Sequence, residues 1–330
     1  LTQPAPSIDA LRRAASGGDA RAQAVLGETL LHAGTGPADF AEAEAAIQAA
    51  VRGGDAEAAA MLAMLTTVRR GSGQAWPEAI GLLAIAAERG SERARGQLLA
   101  LASPTAAAEA SDDRWDSLAR SVDLGDWSGV AGYRLLSTSP RVGMIEGFLS
   151  PAICDWLIGR ARDRTQRAPV YDPQTGGPNV VDFRSNTAFE FLFADLDVVM
   201  ALVRAKIAAT LGTPPIAMEP PQVLHYAVGQ RFALHHDYLD AGEAGYEAEL
   251  RRIGQRSTTF LVYLNDAFEG GETHFPRLPL RVKAPRGGAL FFDNLDAAGQ
   301  PDPRTLHAGL APTSGEKWLL SQWVRTPPPA

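Results

Sequence analysis

At 330 residues, 45% hydrophobic and 21% charged, the chain holds material for two domains with buried cores, which excludes a disordered or fibrous protein. No apolar run approaches the ~18 residues of a membrane span, and 38 acidic against 31 basic residues give a net charge of −7, so neither nucleic acid nor an anionic membrane has global electrostatic support as a partner. The single cysteine, Cys154, excludes an intramolecular disulfide and a zinc–thiolate cluster and fits a reducing compartment; the expected location is cytoplasmic, with Leu1 in place of an initiating Met compatible with a removed leader.

The tetrapeptide Gly17-Gly18-Asp19-Ala20 returns as Gly53-Gly54-Asp55-Ala56, and after the same 36-residue step stands Arg89-Gly90-Ser91-Glu92. That offset also aligns Leu11, Ile47 and Leu83; Ala14, Ala50 and Ala86; Ala22, Ala58 and Ala94; and Leu26, Leu62 and Leu98. Apolar columns at helical spacing on both sides of a Gly-Asp turn predict stacked helix pairs, because small residues let helices approach closely. The pattern resembles Sel1-like repeats, relatives of the tetratricopeptide class, within a domain spanning 1–102. The resemblance implies an α-solenoid that either braces a neighbouring domain or docks a protein partner. Residues 103–140 lose the register and read as a linker with one short helix around Trp115–Val122.

A second domain is expected over 141–330. Ser150 before Pro151 reads as an N-cap followed by the first helical residue. Val199, Val203, Ile207 and Leu211 line a helical stripe within Leu196–Leu211, with Gly212 as the stop. From Gln222 onward, β-branched and aromatic runs at Val223–Val228, Thr258–Leu264 and Ala289–Phe292, separated by Gly and Pro turns, predict an antiparallel barrel or double sheet. Tyr171–Asn179 and Asp240–Gly254 read as mobile segments able to close over a peptide.

The chemistry concentrates in three stretches. If Leu234–Tyr238 is extended, His235 and Asp237 share a face and can ligate one metal ion, while His236 points away. A third ligand must come from elsewhere, and His307 lies 72 residues after His235. Two imidazoles and one carboxylate occupy one face of an octahedron and leave three positions open, as in non-haem Fe(II) oxygenases. Ten residues after His307 comes Lys317, one of only three lysines in an alanine-rich chain, a usage that points to a GC-rich, bacterial coding genome. A lysine in a buried strand is costly unless it pairs with an anion; a dicarboxylate chelating the iron through its keto-acid end would send its far carboxylate there. His225 and His274 read as structural or at most substrate-proximal, Cys154 as a small buried side chain, and Trp318 and Trp323 as core.

The ordered series Tyr226-x-x-Gly229-Gln230, His235-x-Asp237, Thr259-x-x-x-Tyr263-Leu264-Asn265, Gly270-Gly271-Glu272-Thr273-x-Phe275-Pro276, Pro285-x-x-Gly288, His307-x-Gly309 and Gly315-x-Lys317-Trp318 resembles the prolyl 4-hydroxylase branch of the Fe(II)/2-oxoglutarate oxygenases. The resemblance implies a double-stranded β-helix, or jelly roll, with flanking helices. It implies Fe(II) held by His235, Asp237 and His307, 2-oxoglutarate paired with Lys317, further co-substrate contacts at Tyr226, Thr259 and Tyr263, O2 as second co-substrate and ascorbate as reductant. Arg184, in Phe183-Arg184-Ser185, resembles the family's Arg-x-Ser strand near the substrate groove; with Tyr238 it is a candidate substrate-positioning residue. The implied reaction is hydroxylation of a peptidyl residue, proline first, with release of succinate and CO2. The alternatives are a hydroxylase of another residue in a small modified peptide or of a free amino acid, and a non-catalytic scaffold or sensor. A carboxylate at Asp237, where Gly or Ala would open a site for halide, favours hydroxylation over halogenation. Ala227 and Val228 replace the usual Gly-containing pair after the tyrosine, and His225 a common arginine before it.

Overall fold

The computed structural model describes residues 7–33, 36–70, 75–108, 115–168, 170–172, 177–179, 184–242 and 246–328. Contacts divide the chain into a helical unit, Leu1–Gly129 with Leu192–Lys206, and a β-rich unit, Val130–Phe191 with Ile207–Ala330. No helix among the described residues is long and apolar enough to cross a membrane.

In the helical unit the 36-residue register becomes three helix pairs: Ile8–Ser16 with Ala20–Ala33, Pro37–Arg52 with Ala56–Arg70, and Trp76–Glu88 with Glu92–Leu101. Gly18, Gly54 and Gly90 all adopt positive φ, at 84°, 91° and 95°, a conformation that costs an L side chain dearly. The preceding position is right-handed in each copy, with φ of −76° at Gly17 and Gly53 and −78° at Arg89. Arg89 is therefore admissible where the other copies carry glycine, and Gly90 is retained. The next residue caps the second helix of each pair: Asp19 accepts from the Ala22 amide at 3.0 Å, Asp55 from Ala58 at 2.8 Å, and Ser91 from Ala94 at 3.1 Å. Ser91 replaces aspartate because either oxygen serves as an N-cap. Leu11, Ile47 and Leu83 are buried, as are Leu26 and Leu98.

Leu192–Lys206 completes this unit. Buried Gln97 accepts from the Val198 amide at 2.9 Å, Arg93 donates to the Leu196 carbonyl at 3.1 Å, and Phe193 meets Phe40 edge-to-face at 5.3 Å. The segment expected to be a linker carries short helices at Pro104–Ala108, Trp115–Arg120 and Leu124–Ser128, with Trp115, Leu118 and Trp127 buried; Ser111–Asp113 lie outside the described residues. The β-rich unit starts within it too, because Arg134–Thr138 pairs with Arg141–Ile145 across the Ser139-Pro140 turn.

Ser150 caps the helix Pro151–Ala161 by accepting from the Ile153 amide. The helix Val198–Leu211 starts two residues later than the stripe suggested, where Asp197 accepts from the Met200 amide, and stops at Gly212 with φ 67°. Among the described residues an eight-stranded antiparallel sheet runs, in spatial order, Arg134–Thr138, Arg141–Ile145, Ala289–Asp293, Arg256–Tyr263, Lys317–Arg325, Gln222–Tyr226, Thr187–Glu190 and Gln166–Arg167. A four-stranded antiparallel sheet runs Leu280–Val282, Thr273–Phe275, His307–Gly309 and Phe232–His235. One apolar cluster joins Leu224, Leu261, Leu290, Phe292 and Leu319 of the large sheet to Phe275 and Val282 of the small one. Two antiparallel sheets around a shared core are consistent with a jelly roll.

Of the two segments read as mobile, the tip 173–176 of Tyr171–Asn179 and residues 243–245 of Asp240–Gly254 lie outside the described residues. The remainder of the second is tied down: it forms the helix Tyr246–Ile253, and Arg325 donates to Glu249 at 2.5 Å and to the Gly254 carbonyl at 2.8 Å. Its charged composition reads as loop because its partners lie more than 70 residues away.

A Cβ at Gly90 would meet open space, so Gly90→Ala tests the backbone requirement alone. It is expected to cost about 1–2 kcal/mol in a urea melt; an unchanged midpoint would remove the left-handed constraint from the repeat turn.

Candidate active site

His235 and His307 are direct cross-strand partners in the small sheet. Each ring uses Nδ1 on the carbonyl two residues earlier, His235 on Ala233 at 2.8 Å and His307 on Thr305 at 3.0 Å. A carbonyl only accepts, so Nδ1 carries the proton and Nε2 presents a lone pair. Both Nε2 atoms face Asp237, His235 at 3.5 Å from Oδ1 and His307 at 3.6 Å from Oδ2. The three ligand atoms lie within 4.8 Å of one another. The strand itself ends at His235, so Asp237 joins the group from the following bend rather than from an extended run. His236 turns away, its Nε2 on the Pro303 carbonyl at 3.1 Å and its ring stacked on Tyr238.

Protonation states suit a cation. Burial alone would push the Asp237 carboxyl up, but His307, His235 and the Thr259 hydroxyl together hold it well below the usual carboxylate range. Burial, reinforced by His235, pulls His307 down to about 4, so it is neutral at pH 7. Metal ligation requires both conditions.

Lys317 opens the central strand Lys317–Arg325, opposite Tyr226, and its side chain is fully buried. Its Nζ donates to the Gly271 carbonyl at 2.6 Å, and among the described residues no carboxylate forms an ion pair with it. Burial pulls the ammonium down to about 7, partly offset by Glu272. Gly271 has φ 70°, and a Cβ there would lie 2.8 Å from the Phe268 ring and 3.3 Å from Lys317 Cδ. Glycine is thus what allows this carbonyl to approach the lysine.

One cavity is lined by His235, Asp237, His307, Lys317, Tyr226 and Arg184, with Thr273, Leu319, Ser321 and Trp323 also on its wall. Strand alternation explains the grouping: 317, 319, 321 and 323 share one face. Trp323, expected as core, is therefore a wall residue, whereas Trp318 on the opposite face is buried. Arg184 is 6% exposed and sits over the Phe232 ring at 4.6 Å. Burial pushes the Tyr226 phenol up to about 12, so it stays protonated.

Two expected co-substrate contacts are otherwise engaged. Thr259 donates to Asp237 Oδ2 at 2.7 Å, and Tyr263 donates to the Val282 carbonyl at 2.7 Å beside Thr273 at 2.9 Å. Neither lines the cavity. Alternation along Thr258–Leu264 places both on the inward face, but their hydroxyls are taken by protein partners. Tyr238 stacks on His236 and does not line the cavity either. His225 pairs with Glu316 at 2.9 Å on the outer face, and Cys154 is buried with its thiol pushed up to about 11, so both are structural. Sequence reasoning missed the wall residues Leu319 and Ser321, which period-two counting from Lys317 would have found.

Residues 221–325 match the model of the 2OG-Fe(II) oxygenase superfamily. The chain is 34% identical to prolyl 4-hydroxylase 1 of Arabidopsis thaliana over 205 residues, which cover 58% of this chain and 71% of that protein. It is 31% identical to prolyl 4-hydroxylase 2 of the same plant over 210 residues, 57% of this chain and 68% of that one. The chain belongs to the prolyl 4-hydroxylase branch of the 2OG-Fe(II) oxygenases. The crystal structure of the viral collagen prolyl hydroxylase of Paramecium Bursaria Chlorella virus-1 in complex with 2OG aligns at 28% identity and a TM-score of 0.44, over 56% of this chain and 96% of that one. The family's cofactor is Fe(II) and its co-substrate 2-oxoglutarate, and the donor set fits them: two imidazoles with free Nε2 atoms, an ionised carboxylate, and a buried ammonium on the same cavity wall.

Loading this dioxygenase with Mn(II) at a hundredfold excess over its Kd is expected to raise stability by about 2.7 kcal/mol. A thermal melt that EDTA returns to the metal-free value checks this; no shift at saturating metal would contradict the ligand geometry.

Proposed function

We propose that this enzyme hydroxylates a prolyl residue of a peptide or protein, with Arg184 and Trp323 among the groups that position it. The observation that carries the reading is a single cavity bringing the His235–Asp237–His307 group together with a buried ammonium, an indole and a buried guanidinium. The substrate class follows the relatives named prolyl 4-hydroxylase. Bound Fe(II), with 2-oxoglutarate and O2, supplies oxidation of a C–H bond to C–OH as the keto acid becomes succinate and CO2. The chain's own residues do the orienting. His235, Asp237 and His307 hold the metal, Lys317 receives the far carboxylate of 2-oxoglutarate, and protonated Tyr226, opposite it in register, donates a hydrogen bond toward that end. The apolar wall of Leu224, Leu261 and Leu319 excludes water.

The helix pairs are read as Sel1-like repeats; support comes from the 36-residue recurrence of the positive-φ glycine followed by a helix-capping residue in all three pairs.

The test is succinate formation with Fe(II), 2-oxoglutarate and a proline-rich peptide, followed by mass spectrometry for one added oxygen on proline. Proline-dependent succinate is expected; succinate that rises only with proline-free peptides or a free amino acid would overturn the prolyl assignment.

Lys317 gives a pH signature. With its free ammonium near 7, a dicarboxylate that pairs with it raises that value on binding. Affinity is then full below about pH 7 and falls up to about tenfold per unit above it, because the lysine must take up a proton to bind. Calorimetric 2-oxoglutarate titrations of the Mn(II)-loaded protein should show this slope, and Lys317→Arg, charged throughout, should flatten it. A flat wild-type profile would sever Lys317 from the co-substrate.

A further inference from the structure

Thr259 has one hydroxyl proton and two close polar neighbours. Its Oγ1 lies 2.7 Å from Asp237 Oδ2 and 3.0 Å from Asn294 Nδ2. All three side chains are buried, Asn294 and Thr259 almost completely. An ionised carboxylate only accepts, so the Thr259 proton goes to Oδ2, and the hydroxyl oxygen is left to accept. Asn294 must then present its amide N–H and not its carbonyl. The chemistry of the terminus fixes the direction of the whole chain, from Asn294 through Thr259 to Asp237.

Two further observations mark Asn294 as more than packing. Its backbone N–H donates to the Ser257 carbonyl at 2.8 Å, and its backbone carbonyl accepts from the Asp302 backbone N–H at 2.9 Å. The residue is thereby pinned between the strand that carries Thr259 and the loop that leads to His307. Its side-chain Oδ1 makes no hydrogen bond among the described residues. A buried amide with an unsatisfied oxygen is costly, a cost a leucine of the same shape would avoid; what the amide supplies is the N–H on Thr259.

With Oδ2 engaged by Thr259, Oδ1 is the less encumbered carboxylate oxygen. We propose that Asn294 and Thr259 are positioning residues that hold Asp237 to one-oxygen ligation of Fe(II). The inference rests on the metal reading given above. Three protein atoms would leave three positions of a six-coordinate ion for the co-substrates. A carboxylate that swung to chelate through both oxygens would take one of them. Residues that orient metal ligands in this way typically contribute 10–100-fold to metal affinity.

The experiment compares wild type, Thr259→Val, Thr259→Ser and Asn294→Leu, all metal-free at the start. Mn(II) affinity is read from the electron paramagnetic resonance of the free ion, and coordination from the visible bands of the Co(II)-loaded protein. Expected are an affinity loss on the order of 10–100-fold in Thr259→Val, a smaller loss in Asn294→Leu, changed Co(II) bands in both, and wild-type behaviour in Thr259→Ser. Wild-type affinity and bands in Thr259→Val overturn the proposal, as does weakened affinity with unchanged bands, which indicates packing alone. Should Thr259→Val not fold, Asn294→Leu, which keeps the hydroxyl, decides by the same two readouts. If wild type binds neither ion, the metal reading itself fails, and the relay with it.

Discussion

The β-rich unit is organised by one constraint: polar groups with the donor set of a metal site have to be buried without being neutralised by the protein. His235 and His307 meet it by the same local device, each Nδ1 on the backbone carbonyl two residues back. That bond selects the tautomer, orients the ring and leaves Nε2 free at no cost in buried unsatisfied donors. Asp237 meets it differently, with one oxygen held by a hydroxyl and both imidazoles close by. Strand register does the rest, because pairing His307 directly with His235 brings residues 72 apart in sequence to adjacent positions.

Buried charge elsewhere in the same unit shows what a structural solution looks like. Glu219 accepts from Arg256 through both oxygens, at 2.7 and 3.0 Å, and from Arg325 at 2.7 Å, while Arg325 reaches Glu249 as well. Those charges are opposite in sign, equal in number and hydrogen-bonded, as withdrawal from water demands. Lys317 is more deeply buried than the half-buried Glu219 and Arg256, yet its hydrogen-bond partner is a neutral carbonyl and its ammonium is pulled down to about 7. The contrast separates a cation that completes an ion-pair network from one whose charge no carboxylate among the described residues matches.

How much of this is legible in the sequence depends on the range of the interaction. The repeat turns are legible because the glycine requirement and the N-cap lie within three residues, and the substitutions Arg89 and Ser91 fall at positions where the backbone permits them. The metal group and Lys317 are legible through spacing and residue type together. Thr259 and Tyr263 were visible as inward hydroxyls, but whether such a hydroxyl meets a ligand or a neighbouring side chain depends on contacts 22 residues away in one case and 19 in the other. The tether on Tyr246–Ile253 and the place of Leu192–Lys206 in the helical unit depend on partners 71 and 101 residues distant, and no periodicity records them.

Asn294 is the limiting case. Nothing in Phe291-Phe292-Asp293-Asn294-Leu295 distinguishes it from a turn asparagine at a strand end, and Asx chemistry at such positions is common. Its meaning appears only when the hydrogen-bond directions are followed from the carboxylate outward. An acceptor-only group at one end determines every donor behind it, so the 2.7 Å bond from Thr259 to Asp237 Oδ2 fixes which way the Asn294 amide, 3.0 Å from Thr259, must face. In a buried polar chain the charged end sets the order of the whole, and Asn294, two hydrogen bonds removed from the Asp237 carboxylate, takes its orientation from it.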